Sequence, residues 1–317
     1  MTPSAELSPY GIGILQTCEH AIYEFAQSGT GGYDLRNGSN VGNPRATNPS
    51  IVPMNPTAPI GIFDSGLGGL SVLRELRQQL PAEDVVYYAD NAYSPYGTRT
   101  PEEIQARSEA IAAALLERDA KVIVVACNTA SSVAITHLRE RFDLPFIGLE
   151  PAVKPAVQLT RTGKVAVLAT PRTVTGERLR RLIHAYAREV EVFTIPAPGL
   201  VELVETGTLS GAEVQLALRP LLEPVLAQGV DTIVLGCTHY PFLRREIEAF
   251  VGPSIAVIDS GAAIARRTRE VLLQHGALRD RPQRGKLQLM TSGAPEHVGS
   301  IATDLIGEPV LPLALAV

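Results

Sequence analysis

From Pro59 onward, short apolar runs rich in Val, Ile and Leu alternate with longer stretches whose apolar residues recur at helical spacing. Apolar runs of four to six residues bounded by turn residues read as strands covered on both faces, the pattern of parallel sheets. They predict strands over 60–63, 85–89, 122–126, 146–149, 165–169, 190–195, 232–236, 255–258 and 287–290. Helices are expected over 67–80, 101–118, 128–142, 151–161, 173–188, 200–205, 211–228, from 241, over 262–275 and near 296–305. Thr100 and Pro101 supply an N-cap and a first-position proline for one of them. Regular strand–helix alternation implies an α/β fold of parallel sheets flanked by helices.

Residues 1–57 break this pattern. Gly29-Thr-Gly31-Gly32, Asn43-Pro44, Asn48-Pro49 and Asn55-Pro56 are turn signals with little apolar period around them. The segment reads as a disordered leader, or as sequence ahead of a start at Met54, and Cys18 within it reads as incidental. Beyond it, Val122-Ile-Val-Val-Ala-Cys127 has an echo in Thr232-Ile-Val-Leu-Gly-Cys237, and Ile62-Phe63-Asp64-Ser65-Gly66 has one in Val257-Ile258-Asp259-Ser260-Gly261. The echoes favour two similar, pseudo-twofold related α/β lobes facing each other across a cleft. The boundaries expected are 58–154 plus about 264–317 for the first lobe and 155–263 for the second.

Composition narrows the class. With 317 residues, 45% hydrophobic and 19% charged, the chain can build about two domains. A net charge of -5 gives no basic footprint for nucleic acid, and no apolar run approaches the length of a membrane span. Three cysteines, two of them closing buried strands, fit a reducing cytoplasm.

Ligands of open α/β sheets bind beyond the carboxyl ends of the strands, which is where Cys127 and Cys237 fall. The six histidines form no ligand-spaced cluster and no C-x-x-C occurs, so no metal is expected. A nucleophilic thiol needs one cysteine and one base. Two thiols in matched contexts suit another task, a proton donor and a proton acceptor on opposite faces of one carbon. Asp64-Ser65-Gly66-Leu-Gly68-Gly69 is a glycine-rich strand-to-helix turn whose free N–H groups favour an anion. Its glycines miss the dinucleotide spacing at Ser71, and its carboxylate could orient an ammonium or act on a nearby thiol.

FDSGLGGLSVL at 63–73, SPYGTR at 94–99, ACNTAS at 126–131 and GCTHYPFL at 236–243 resemble the signature blocks of the glutamate racemases, within the aspartate/glutamate racemase family. The resemblance runs from about Pro59 into the C-terminal region. It implies cofactor-independent interconversion of L- and D-glutamate by two-base 1,1-proton transfer, supplying D-glutamate for peptidoglycan and hence cell shape. It implies that Cys127 acts on D-glutamate with help from Asp64, and Cys237 on L-glutamate with help from His239 and Glu205. Ser65, Pro95, Tyr96, Gly97, Asn128, Thr129, Thr170 and Thr238, with Asp64 and His239, would bind the substrate. A helix N-terminus or a positive neighbour is expected to bring each thiol toward neutrality. The expected partner is the small-molecule substrate, with no nucleic acid and no membrane, and with room for a homodimer. The block around Glu205 departs from the usual form, with Ala197 where cysteine is common and Glu202 where proline is common, so Glu202 competes for the role beside His239. Tyr96 reads either as a lid or as packing, and Arg178, Arg180 and Arg181 as a solvated helix face. An aspartate-type racemase and a non-catalytic glutamate-binding relative are the alternatives.

Overall fold

The computed structural model describes residues 54–317, so the expectations for 1–53, Cys18 included, lie outside the described residues. The strands are β1 (Ile60–Asp64), β2 (Val85–Ala89), β3 (Val122–Val125), β4 (Phe146–Gly148), β5 (Lys164–Ala169), β6 (Glu191–Pro196), β7 (Thr232–Leu235), β8 (Ala256–Ile258), β9 (Leu287–Thr291) and β10 (Leu313–Ala314). All pair in parallel, in two sheets ordered β10-β9-β2-β1-β3-β4 and β6-β5-β7-β8. The helices are α1 (Leu70–Gln79), α2 (Pro101–Leu116), α3 (Asn128–Arg141), α4 (Val153–Leu159), α5 (Pro171–Thr175), α6 (Glu177–Tyr186), α7 (Leu200–Glu205), α8 (Ala212–Leu226), α9 (Arg244–Val251), α10 (Gly261–Gln274) and α11 (Pro295–Ile306). Among the described residues no helix is long and apolar enough to cross a membrane.

The repeat is topological. Strand order β2-β1-β3-β4 matches β6-β5-β7-β8, so β3 corresponds to β7 and the two cysteines follow equivalent strands. The second sequence echo is not part of this repeat. Asp259-Ser260-Gly261 follows β8, the counterpart of β4 rather than of β1. There Asp259 accepts the Gly261 N–H at 2.7 Å and pairs with Arg244, a local capping job.

Central strands such as β1, β3 and β7 are buried at every residue, as their unbroken apolar runs require. Thr100 forms a full capping box with Glu103 at the start of α2. One expected helix, 173–188, is broken: Gly176 is extended between α5 and α6, where a Cβ would come within 3.1 Å of Ser132 Oγ and 3.2 Å of the Arg172 carbonyl. A single apolar cluster joins Leu70 and Leu73 of α1 to Leu200, Val204, Tyr240 and Leu243 beside the second sheet, so the lobes share core.

At the strand ends opposite the cysteines lies a buried ion pair. Lys121 Nζ donates to Glu83 Oε2 at 2.6 Å, to the Ala277 carbonyl at 2.9 Å and to the Pro56 carbonyl at 3.0 Å. Glu83 Oε1 accepts the Arg279 N–H at 2.8 Å. Residues 55–57 and 277–279 are thereby tied to the floor of the first sheet. Such a pair is costly to break but not to replace, because removing one partner strands a dry charge. Glu83→Ala is therefore expected to cost about 3–5 kcal/mol, lowering Tm by roughly 10 °C with turnover at 25 °C retained. The double change Glu83→Leu with Lys121→Met should recover most of that loss in thermal melts. A double variant as unstable as the single one would refute this account.

Candidate active site

The carboxyl ends of β1, β3 and β7 converge where the two sheets face each other. After β1 the chain turns sharply: Asp64 Oδ2 accepts the Gly69 N–H at 2.7 Å, and Tyr87 Oη donates to the Gly66 carbonyl at 2.9 Å. The glycines are explained by what sits against them. A Cβ on Gly66 would lie 2.0 Å from Glu205 Oε1, and one on Gly68 would lie 2.1 Å from His239 Nδ1. Neither contact is sterically possible, so only glycine lets these second-lobe side chains reach the turn. The free N–H groups do attract an anion, but that anion is the protein's own. Leu67 N–H donates to Glu205 Oε1 at 2.6 Å, in the place a dinucleotide reading would give to phosphate.

Cys127 caps α3, where its Sγ accepts the Ala130 N–H at 3.5 Å and lies 3.8 Å from Ser65 Oγ. It is only 5% exposed. Burial first, and the neighbouring Asp64 charge second, push its pKa well above the usual thiol value. The helix terminus does not bring this thiol toward neutrality, because desolvation and a like charge outweigh two weak donors. Asp64, wholly buried, is also raised: burial dominates, and His239 and the Gly69 N–H only partly offset it. Asp64 and Cys127 thus resist being ionised together, as coupled buried acids do.

Cys237, 6% exposed, has a different neighbour. Its Sγ lies 3.7 Å from His239 Nδ1, and His239 Nε2 lies 2.6 Å from Glu205 Oε1. A contact that short to a carboxylate places a proton on Nε2. Burial works against a charge on His239, but the Cys237 sulfur and the Glu205 carboxylate outweigh it and hold the imidazole pKa well above its ordinary value. Glu205, at the end of α7, is the residue that meets His239. Glu202, one turn earlier, is exposed and lines an adjoining cavity of about 360 Å³.

The remaining candidates cluster around these groups to different degrees. Thr129, in the first turn of α3, is 3.1 Å from Thr170 across the interface, both through Oγ1, and Thr170 caps α5 by accepting the Thr173 N–H at 3.3 Å. Gly97 packs on Thr170, since a Cβ there would sit 3.3 Å from the threonine Cβ. Ser65 and Thr238 are buried, and the Thr238 carbonyl accepts from Ser71 Oγ at 2.8 Å. Pro95 is half-buried. Asn128 Oδ1 is a buried acceptor with no partner among the described residues. Tyr96 is packing rather than a mobile cover: it is 1% exposed and its hydroxyl donates to Asp90 Oδ2 at 2.5 Å.

Asp90 also holds Arg107, at 2.7 Å and 3.0 Å, and accepts from Ser292 Oγ at 2.7 Å. Neither Asp90, Arg107 nor Asn91 stands out in the sequence; Asn91 donates to Glu205, 114 residues on, and Asp90 accepts from Ser292, 202 residues on. Arg178 also departs from expectation. It pairs with Glu150 at 2.6 Å and is partly buried, whereas Arg180 and Arg181 are exposed as expected. A cavity of about 1230 Å³ lies away from the thiols, between Arg139, Lys154, Arg178 and Arg267, and no candidate site residue lines it.

The chain is similar to known racemases over most of its described length. A family model for Asp/Glu/Hydantoin racemase matches residues 60–268. A glutamate racemase of Herpetosiphon aurantiacus is 51% identical over 243 residues, 77% of this chain and 96% of that protein. The crystal structure of glutamate racemase from Francisella tularensis in complex with D-glutamate superposes with a TM-score of 0.73 at 27% identity, covering 82% of this chain and 98% of that one. That of the Escherichia coli glutamate racemase, in complex with L-glutamate and an activator, gives 0.72 at 36% identity, covering 81% and 97%. The chain belongs to the aspartate/glutamate racemase family and, within it, groups with the glutamate racemases.

Proposed function

We propose that this chain interconverts L- and D-glutamate without a cofactor, Cys127 and Cys237 serving as the two acid–base groups. The observation that carries this reading is the pair of buried thiols on equivalent strand ends, one beside a carboxyl group and the other beside an imidazolium. Relatives of the same fold hold D-glutamate and L-glutamate, which supports glutamate as the substrate.

With D-glutamate bound, the Cys127 proton passes to Asp64 and the thiolate removes the α-proton. The Cys237 thiol, with His239 beside it, delivers a proton to the opposite face. One proton leaves Cα and one arrives, so the centre inverts with no net change. In the reverse direction Cys237 is the base and Cys127 the acid. A thiolate costs less to desolvate than a carboxylate because its single negative charge sits on a larger, more polarisable atom, which suits a base that must work in a dry site. Ser65, the 95–97 segment, Asn128, Thr129, Thr170 and Thr238 surround the substrate, and the unpartnered Asn128 oxygen fits an ammonium donor. The enzyme works in the cytoplasm, where its product supplies peptidoglycan synthesis.

Cys127→Ala and Cys237→Ala are each expected to lower racemisation in both directions by at least about 10³-fold, because each turnover needs both faces. Circular dichroism of L- and of D-glutamate in deuterated buffer reads this directly. The native enzyme should bring both signals to zero with deuterium entering only at Cα. Near-native turnover in either variant would remove the two-base assignment, and decay of aspartate instead of glutamate would move the substrate. Gly66→Ala, whose new methyl must displace the Glu205 carboxylate, should cost roughly 10²-fold in kcat/KM in the same assay. An unaffected rate would show that Glu205 is not needed where it lies.

A further inference from the structure

Glu205 is on the second lobe, yet two of its three donors come from the first. His239 Nε2 and the Leu67 N–H share Oε1, and Asn91 Nδ2 donates to Oε2 at 2.7 Å. Asn91 is in turn held by Thr291 at the end of β9, whose Oγ1 is 3.0 Å from Asn91 Oδ1 and 2.9 Å from the Gly293 backbone nitrogen. This arrangement decides which way the amide faces. The threonine oxygen accepts from Gly293 N–H, and its single proton goes to the Asn91 oxygen, leaving the NH₂ group aimed at the carboxylate. The flipped amide would set an oxygen 2.7 Å from a carboxylate oxygen with no proton between them.

We infer that Asn91, oriented by Thr291, is a positioning residue that locks Glu205 onto His239 and so sets the working charge state on the Cys237 side of the site. The inference rests on the two-thiol reading above. An amide hydrogen bond to an ionised carboxylate is among the stronger neutral-to-charge contacts, and here it falls on the oxygen that His239 leaves open. Without it Glu205 has one oxygen unanchored and can swing from the imidazole toward the adjoining cavity. The charged and titratable groups facing this pair are Cys237, Asp64 and Tyr87, with Glu202 and His297 across that cavity. Among the described residues the hydrogen bond to Glu205 Oε2 comes from Asn91.

The sign of the effect follows. Asn91 holds the Glu205 carboxylate against His239 Nε2, and that carboxylate helps keep His239 protonated. Losing Asn91 lets His239 release its proton at lower pH, so the alkaline limb of kcat/KM should move toward acid. Because the two enantiomers have equal free energy, kcat/KM is the same in both directions, and the profile is measured once for the pair.

The test compares Asn91→Ala, Thr291→Val, their double variant and Thr291→Ser in the full-length protein, with Cys237→Ala alongside. Asn91→Ala and Thr291→Val should each lower kcat/KM about tenfold, with the alkaline limb displaced by roughly half a pH unit or more. The double variant should be no worse than Asn91→Ala alone, since both changes remove one interaction. Thr291→Ser keeps the hydroxyl and should restore the native limb. Losses that multiply, or a rate that falls with the alkaline limb unmoved, would overturn the inference and leave Asn91 a merely structural residue. Native kinetics in Asn91→Ala with an inactive Cys237→Ala would overturn it while sparing the two-thiol reading. An active Cys237→Ala would bring down that reading first.

Discussion

Charge in a dry seam is the constraint that the rest of the site answers to. Two thiols, an imidazole and the Asp64 carboxyl group are gathered where water is nearly excluded, with the half-buried Glu205 at the edge, and each isolated charge in the dry part would cost several kcal/mol. The two halves of the seam solve this differently. Around Cys127 ionisation is suppressed: burial raises both the thiol and Asp64, so their protons are not surrendered together. Around Cys237 charge is kept but balanced, with His239 protonated against Glu205. The two-base reaction proposed above would draw on such an asymmetry at a single pH. Matched strands thus carry unmatched electrostatics, and the difference comes from the neighbours rather than from the cysteines.

Backbone geometry makes those neighbours available. The turn after β1 offers N–H groups to an anion, as any helix start does, and glycine at 66 and 68 removes the side chains that would keep the second lobe away. One turn therefore serves both halves: Gly69 N–H holds Asp64, and Leu67 N–H holds Glu205. A phosphate-binding loop and this turn share their sequence look because both need free N–H groups and close approach. What distinguishes them is the occupant, a carboxylate from residue 205.

Legibility in the sequence followed the range of the interaction. Strands covered on both faces announce themselves by apolar runs, and Cys127 and Cys237 were readable because they end two such runs in the same way. The N-cap at Thr100 with Pro101 behind it is a local code and reads directly from the sequence, while its closure by Glu103 is seen in the structure. The break at Gly176 was not, since it answers to Ser132 on a neighbouring helix. The echo between 62–66 and 257–261 misled because five matching residues say nothing of sheet position. Asn91, Thr291 and Asp90 are silent for the same reason: each looks like an ordinary loop or strand-end polar residue until β9 is placed beside β2. Glu205 was separable from Glu202 only once the helix phase around α7 put one of them in the seam and the other in solvent.

The contacts that close the seam differ in kind from those that hold the lobes together. Across it run Leu67 to Glu205, Asn91 to Glu205, Ser71 to the Thr238 carbonyl, and Thr129 to Thr170. Each is a polar contact whose net worth is about 1 kcal/mol when neutral and more when charged, because water can replace its partners. Behind them the apolar cluster from Leu70 to Tyr240 is continuous, and exposing it would cost roughly 25 cal/mol for every Å² uncovered. On the two-thiol reading proposed above, an amino acid would reach thiols only 5% and 6% exposed by the polar side giving way while the apolar side holds. The bonds that must yield include those that fix Glu205 against His239. On the two-thiol reading, admission of substrate and the protonation of the Cys237 side would then depend on the same few hydrogen bonds.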